Sequence, residues 1–244
     1  MMLKTKTARE MLESSRVRRR AFSLGLGATA CHALLALGAL GCSGEAPESS
    51  GQELATSEAA LRDDGGPRLA HYTETYMRWL FGDKTLPTDA NGNAVENKVV
   101  MLPVPQTPGD GTPGTANVTL SPGESFVAPL FGGLGTSYRD GTPPDPFEPL
   151  SIFTTLDISF SVDGQTLIAP SNVLRYFSKF KFDPPIPIDD PVVSAVIWFE
   201  GVSVLHAPLG PGQHVLKLDV KNTEPSFGQL LEYHNTWNIT VQGH

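Results

Sequence analysis

The chain has 244 residues, with 26 acidic against 18 basic side chains and a formal net charge of −8. That balance argues against nucleic acid as a partner, because phosphate binding needs a basic face. Two cysteines are too few for a disulfide-dense scaffold, while 21 prolines and 24 glycines require many turns and loops.

Residues 1–20 carry Lys4, Lys6, Arg9, Arg16, Arg18, Arg19 and Arg20, and residues 21–41 carry no charge. A basic segment followed by an apolar one and then small residues is the pattern of an export signal. A transmembrane anchor is the competing explanation, but Ser23, Thr29, Cys31, His32 and several glycines interrupt the run. Ala39-Leu40-Gly41-Cys42 resembles the lipobox of bacterial lipoproteins. Ala28-Thr29-Ala30-Cys31 fits that pattern more loosely, and an apolar stretch follows it. The resemblance implies a signal peptide over residues 1–41 and a lipid on Cys42, with enough acyl chains for a stable membrane anchor. With Ser43 next rather than Asp, it also implies the outer membrane of a bacterial cell envelope. Arg19-Arg20-Ala21-Phe22 partly fits a twin-arginine signal. Loss of residues 1–42 removes 7 basic and 2 acidic side chains, which leaves a net charge of −13. It also leaves no cysteine for a disulfide, a nucleophile or a thiolate metal site.

Residues 42–67 are rich in Ser, Glu, Ala and Gly and read as a flexible tether. Residues 68–244 then form one domain, long enough to bury its own core. "HYTETYMRWLFG" places Tyr72, Tyr76, Trp79 and Leu80 at helical spacing, with Gly82 as a stop. Alternation takes over after that. Val118 and Leu120 lead into the turn Ser121-Pro122-Gly123, and Phe126, Ala128 and Leu130 follow on one face. Ile158, Phe160 and Val162 precede Asp163-Gly164, a hairpin signal. Leu174, Tyr176, Phe180 and Phe182 point opposite to Arg175, Lys179 and Lys181. Val202 and Val204 lead into "HAPLGPGQH", after which Leu216, Leu218 and Val220 alternate with Lys217, Asp219 and Lys221. The last segment sets Tyr233, Trp237, Ile239 and Val241 on one side. Alternation of this kind predicts an all-β fold: an antiparallel β-sandwich, jelly-roll or immunoglobulin-like, with one wet face per sheet. One short N-terminal helix and long proline- and glycine-rich loops complete it.

The helix with Trp79, then "PTDANG", "LSPGESFVAPLF", "VDGQTL", "RYFSKF", "LGPGQHVLKL" and "TWNITV", resembles a family of secreted bacterial and archaeal β-sandwich proteins. That family has a Trp-containing opening, a proline-glycine-histidine hairpin and a last strand of the form aromatic-x-Ile/Leu-Thr-Val. The resemblance covers most of residues 72–242. The family's frequent cysteine pair is missing, and "VVMLPVP" replaces a more aromatic strand. The family carries no established activity, so it implies a fold and no site residue.

Three groups of residues are candidates for chemistry. In "DANGNAVEN", Asp89, Asn91, Asn93 and Glu96 offer oxygens at the alternate spacing of a calcium loop. Ala94 and Val100 stand where an EF-hand needs glycine and glutamate, and Asn-Gly is also an ordinary turn. His206 and His214 flank "APLGPGQ" and, across a hairpin, could share a zinc ion. His214 is also in phase with Leu216, which fits a neutral core histidine bonded to a loop carbonyl. Three proline-rich acidic loops, residues 103–114, 137–149 and 183–191, could gather into a ligand surface or merely connect strands. Tyr138, Phe147 and Trp198 offer rings for stacking on sugars, or for the core. No Gly-x-Ser-x-Gly, His-Glu-x-x-His or phosphate-binding glycine loop is present. No cofactor is expected beyond calcium or zinc at the positions named. The expectation is a non-catalytic binding or structural module, with the membrane and an envelope protein or polysaccharide as partners. The alternative is an envelope hydrolase using loop carboxylates or a bound metal.

Overall fold

A computed structural model of the chain describes residues 66–105, 113–222 and 232–243. The expected signal peptide, Cys42 and residues 43–65 of the expected tether lie outside the described residues, as does most of the loop 103–114; Pro67, read as the end of the tether, instead begins the first helix. Among the described residues, ten strands form two five-stranded sheets that pack as a sandwich. Sheet one contains β1 (Val95–Glu96), β2 (Val99–Met101), β4 (Ser125–Tyr138), β8 (Val193–His206) and β7 (Phe177–Pro187), in that order. Sheet two contains β3 (Gly114–Leu120), β10 (Glu232–Val241), β9 (Gly212–Asn222), β5 (Leu156–Val162) and β6 (Gln165–Ile168). The all-β sandwich expected from alternation is present.

The core between the sheets uses the residues that the alternation singles out. Phe126, Ala128 and Leu130 from β4 and Val202 and Val204 from β8 meet Ile158, Phe160, Leu216, Leu218, Trp237 and Ile239 from sheet two. The Asp163-Gly164 turn also holds: β5 and β6 pair antiparallel, and both turn residues have positive φ, as a tight hairpin requires.

Strand direction departs from expectation. Most pairs are antiparallel, but β2 pairs parallel with β4 and β3 pairs parallel with β10. Between β2 and β4 the chain reverses twice by visiting sheet two as β3, so β4 returns in the direction of β2. Single-sheet hairpins would have kept every pair antiparallel.

Sheet one also lacks the expected wet face. Helix α1 (Pro67–Leu80) lies across its outer side, where Leu69, Tyr72, Tyr76 and Met77 join Val99, Met101, Val127, Phe182, Phe199 and Leu205 in a second buried cluster. Pro67 opens the helix and Gly82, with φ of 79°, follows its end. The buried Tyr76 hydroxyl donates to the Leu102 carbonyl at 2.7 Å. Glu96 accepts from Thr75 and Lys84, which ties the helix side to β1.

Two local expectations are corrected. Leu174 does not share the face of Phe180 and Phe182: it is 47% exposed, because Val173–Tyr176 form a 3-10 turn and the strand begins only at Phe177. Residues 183–187, read as loop, instead continue β7 past a register shift, with Ile186 fully buried.

Candidate functional site

The three candidate aromatic residues come together at one end of sheet one. In β8 the even-numbered Val202 and Val204 face the sandwich interior. The same parity carries back to Glu200 and Trp198, which the segment after β4 covers. Trp198 lies flat on β4: a Cβ added at Gly135 would sit 1.9 Å from the indole nitrogen. Only glycine leaves room for that ring. Phe147 packs on Trp198 with ring centroids 4.8 Å apart, and the Lys179 ammonium sits 4.1 Å from the centre of the Phe147 ring. Trp198 is 3% exposed, so it is a support under the loop, and Phe147 is the half-buried ring above it.

Asp145 holds this covering segment in place. Its carboxylate accepts from the Tyr138 hydroxyl at 2.9 Å, from the Thr136 hydroxyl at 2.7 Å and from the Thr136 amide at 3.0 Å. Its own amide donates to the Thr136 carbonyl, and its carbonyl accepts from the Trp198 indole at 2.8 Å. Every polar group of Asp145 is thereby used. One turn of chain later, the Glu148 amide donates to Glu200 at 2.5 Å. The Glu200 side chain is 1% exposed and pairs with Lys179 at 3.3 Å. Burial pushes the Glu200 carboxyl above the usual carboxylate range, and the Glu148 amide and Lys179 only partly oppose this. The sequence reading did not single out Asp145, Lys179 or Glu200. The available signal was Glu200, an acid in phase with the apolar Val202 and Val204.

The other candidates serve local structure. Asp89 accepts from the amides of Asn91 and Asn93 at 2.9 and 2.7 Å and from the Asn93 side chain at 2.8 Å. Its oxygens close an Asx-type turn. Asn93 also donates to the Thr119 carbonyl, and Asn91 donates to the Ser121 hydroxyl, so the turn is stitched to the end of β3. Glu96 points instead to Thr75, Lys84 and His71. The four are therefore not gathered around one point.

His206 and His214 do not face each other across a hairpin. His206 ends β8 in sheet one, and His214 lies in β9 in sheet two, so residues 207–211 pass between the sheets. The His206 ring stacks on Phe126, 5.0 Å between centroids. His214 is held at both ring nitrogens: Nδ1 lies 2.6 Å from the Asp163 carboxylate and Nε2 lies 2.8 Å from the Gly210 carbonyl. Two acceptors favour the doubly protonated ring. Partial burial pulls the His214 pKa down, but these partners outweigh it and the net shift is upward. For Asp163, partial burial acts upward and is outweighed by His214 and the Val215 amide, so the net shift is downward. The loop carbonyl expected beside His214 is thus present, but the expected neutral ring is not favoured, because the Asp163 carboxylate supplies a second acceptor. Among the described residues, no group of three or more His, Cys, Asp or Glu side chains is placed to hold a metal ion.

No protein-family model matches the chain, and no curated protein matches it significantly. Among solved structures, it is similar to the CooA pilin subunit of enterotoxigenic Escherichia coli, at 14% identity and a TM-score of 0.20, over 57% of this chain and 96% of that one. It is also similar to Plasmodium falciparum protein Pf12p, at 10% identity and a TM-score of 0.18, over 53% of this chain and 42% of that one. At these scores the likenesses carry no inference about activity, ligand or assembly.

Proposed function

We propose that this chain is a cell-envelope protein anchored by a lipid on Cys42, and that its sandwich is a non-catalytic binding or structural module for an envelope protein or polysaccharide. The observation that supports this best is the use made of Asp145. A carboxylate with three protein donors is spent on fixing a loop, and a fixed loop can present Phe147 and Lys179 with little ordering cost on binding. The test is retention of the purified full-length Cys42→Ala protein on isolated cell envelopes. Phe147→Ala removes packing on Trp198 and should lower the unfolding midpoint by a few degrees, yet at a temperature where its circular dichroism matches that of the parent it should be retained about tenfold less. Equal retention of the two proteins would overturn the reading.

A second reading rests on Glu200, a buried acid with a raised pKa beside a half-exposed lysine. It makes the same end of the sheet a hydrolytic site. Turnover of an envelope polymer that Glu200→Gln abolishes, with the fold intact, would establish it and displace the first.

A further inference from the structure

Residues 142–149, "TPPDPFEP", cross the end of sheet one without helix or strand structure, and their exposure has a period of three. Thr142, Asp145 and Glu148 are half-buried, and the last two are hydrogen-bonded to Thr136 and Glu200. Pro143, Pro146 and Pro149 are exposed. In the third row Pro144 is exposed as well, while Phe147 is half-buried and leans on Trp198. A strand would show a period of two and a helix about 3.6. Three residues per turn is the repeat of polyproline II, which rises about 3.1 Å per residue and so aligns every third side chain about 9 Å apart.

The sequence restricts the backbone to match. Proline locks φ at four of the eight positions, and the residue before each proline is steered into extended backbone. Phe147 alone has neither constraint, and its ring is the one clamped on Trp198. The segment is therefore held in shape by its own prolines and fastened to the sheet at Asp145 and Glu148, while Pro143, Pro146 and Pro149 stay in solvent.

We infer that residues 142–149 are a displayed polyproline II ligand, in which Pro143, Pro146 and Pro149 form the edge read by a partner protein with an aromatic-lined groove. This rests on the binding-module reading and names the partner's chemistry. Exposed prolines offer flat apolar rings and backbone carbonyls but no amide donor. That combination suits tryptophan and tyrosine side chains, which supply both a ring and a donor. Sugar hydroxyls would gain little from it. Two overlapping Pro-x-x-Pro units share Pro146. Asp140 and Glu148 at this end, on a chain of net charge −8, favour Lys or Arg on the rim of the groove.

The test uses the full-length Cys42→Ala protein and a panel of proline-reading domains of the WW and SH3 types as probes, with binding followed by the groove tryptophan fluorescence of each probe. At least one should bind with a Kd below about 1 mM. The triple variant Pro143→Ala, Pro146→Ala, Pro149→Ala should bind that probe at least about tenfold more weakly. Asp145→Ala keeps the prolines but unfastens the row beneath them, and should weaken binding through lost preorganisation. If the triple variant fails to fold, Pro146→Ala alone, in the residue common to both units, replaces it. No binding across the panel, or equal binding by the proline variants, overturns the inference. Should that happen while Phe147→Ala still releases the protein from envelopes, the binding module stands and the proline edge is not its contact.

Discussion

Sheet one and sheet two have five strands each, yet they stand in different surroundings. Sheet one is packed on both faces, by sheet two on one side and by α1 on the other. Its long strands β4 and β8 are buried along most of their length. Sheet two has one dry face and one wet face. On the wet face, Thr115, Asn117 and Thr119 of β3 lie beside Thr236, Asn238 and Thr240 of β10, residue for residue. Two covered faces leave no tolerant position along a strand, so shape governs: Gly132, Gly135 and Gly201 exist to admit Phe199, Trp198 and the neighbouring backbone. One covered face leaves every second position free to be polar.

The sharpest way to test this difference is to add one carbon to sheet one. Gly135→Ala places a methyl 1.9 Å from Trp198. The indole must leave its slot and take the covering loop with it. Urea unfolding should show a loss of about 3 kcal/mol. A loss under about 1 kcal/mol would mean that sheet one packs no more tightly than its neighbour.

A smaller effect belongs to the end of sheet two, where His214 joins the β5–β6 turn to β9. Its folded pKa is raised above the unfolded value, so its contribution is complete below about pH 6.5 and fades as pH rises through the folded value. Asp163 shifts downward, so its share is present above about pH 3.8 and fades as pH falls through its folded value. The advantage of wild type over His214→Gln should therefore be greatest between those limits and shrink toward pH 8, read as the difference between two thermal-unfolding series. An advantage that grows toward pH 8 would show that the ring is neutral in the folded protein.

The smallest effect belongs to the wet face. Asn238→Ala removes a solvent-exposed hydrogen bond to Asn117 at 2.9 Å and should change stability by no more than about 0.5 kcal/mol in the same urea assay. A loss above about 1 kcal/mol would make that face a structured part of the fold and erase the contrast with sheet one.

The same contrast explains what could be read from the sequence. Leu216, Leu218 and Val220 against Lys217, Asp219 and Lys221 declare a strand with one dry face, and sheet two has one. In β4, Phe126, Ala128 and Leu130 mark one buried face, but the intervening Val127 and Pro129 are buried as well. Alternation cannot report a cover supplied by a helix more than 40 residues upstream. Parallel pairing was hidden for a related reason, because direction depends on which sheet the chain visits between two strands. At the site, Tyr138, Phe147 and Trp198 stood out as aromatic residues. Their assembly depends on Asp145 reaching Trp198 and on the Glu148 amide reaching Glu200, contacts 53 and 52 residues apart that no local pattern encodes.

The turn at Asp89 has a consequence for life among many copies. A sheet edge with free peptide groups is a template for another strand. Here β1 has two residues and β6 has four, and β7 carries Lys179, Lys181, Pro184, Pro185 and Pro187. β3 is uncharged, free of proline and seven residues long. The carbonyl of Leu120 accepts from Gln242 on the β10 side, so the alternate residues Thr115, Asn117 and Thr119 turn their peptide groups to the side that no other described strand pairs. Asn93 takes the last of those carbonyls, and the Asp89 turn stands across the end of the row. A strand from a neighbouring molecule can run along β3 only as far as this turn. The turn thus limits how copies can zip together when crowded, a matter of colloidal behaviour rather than of folding.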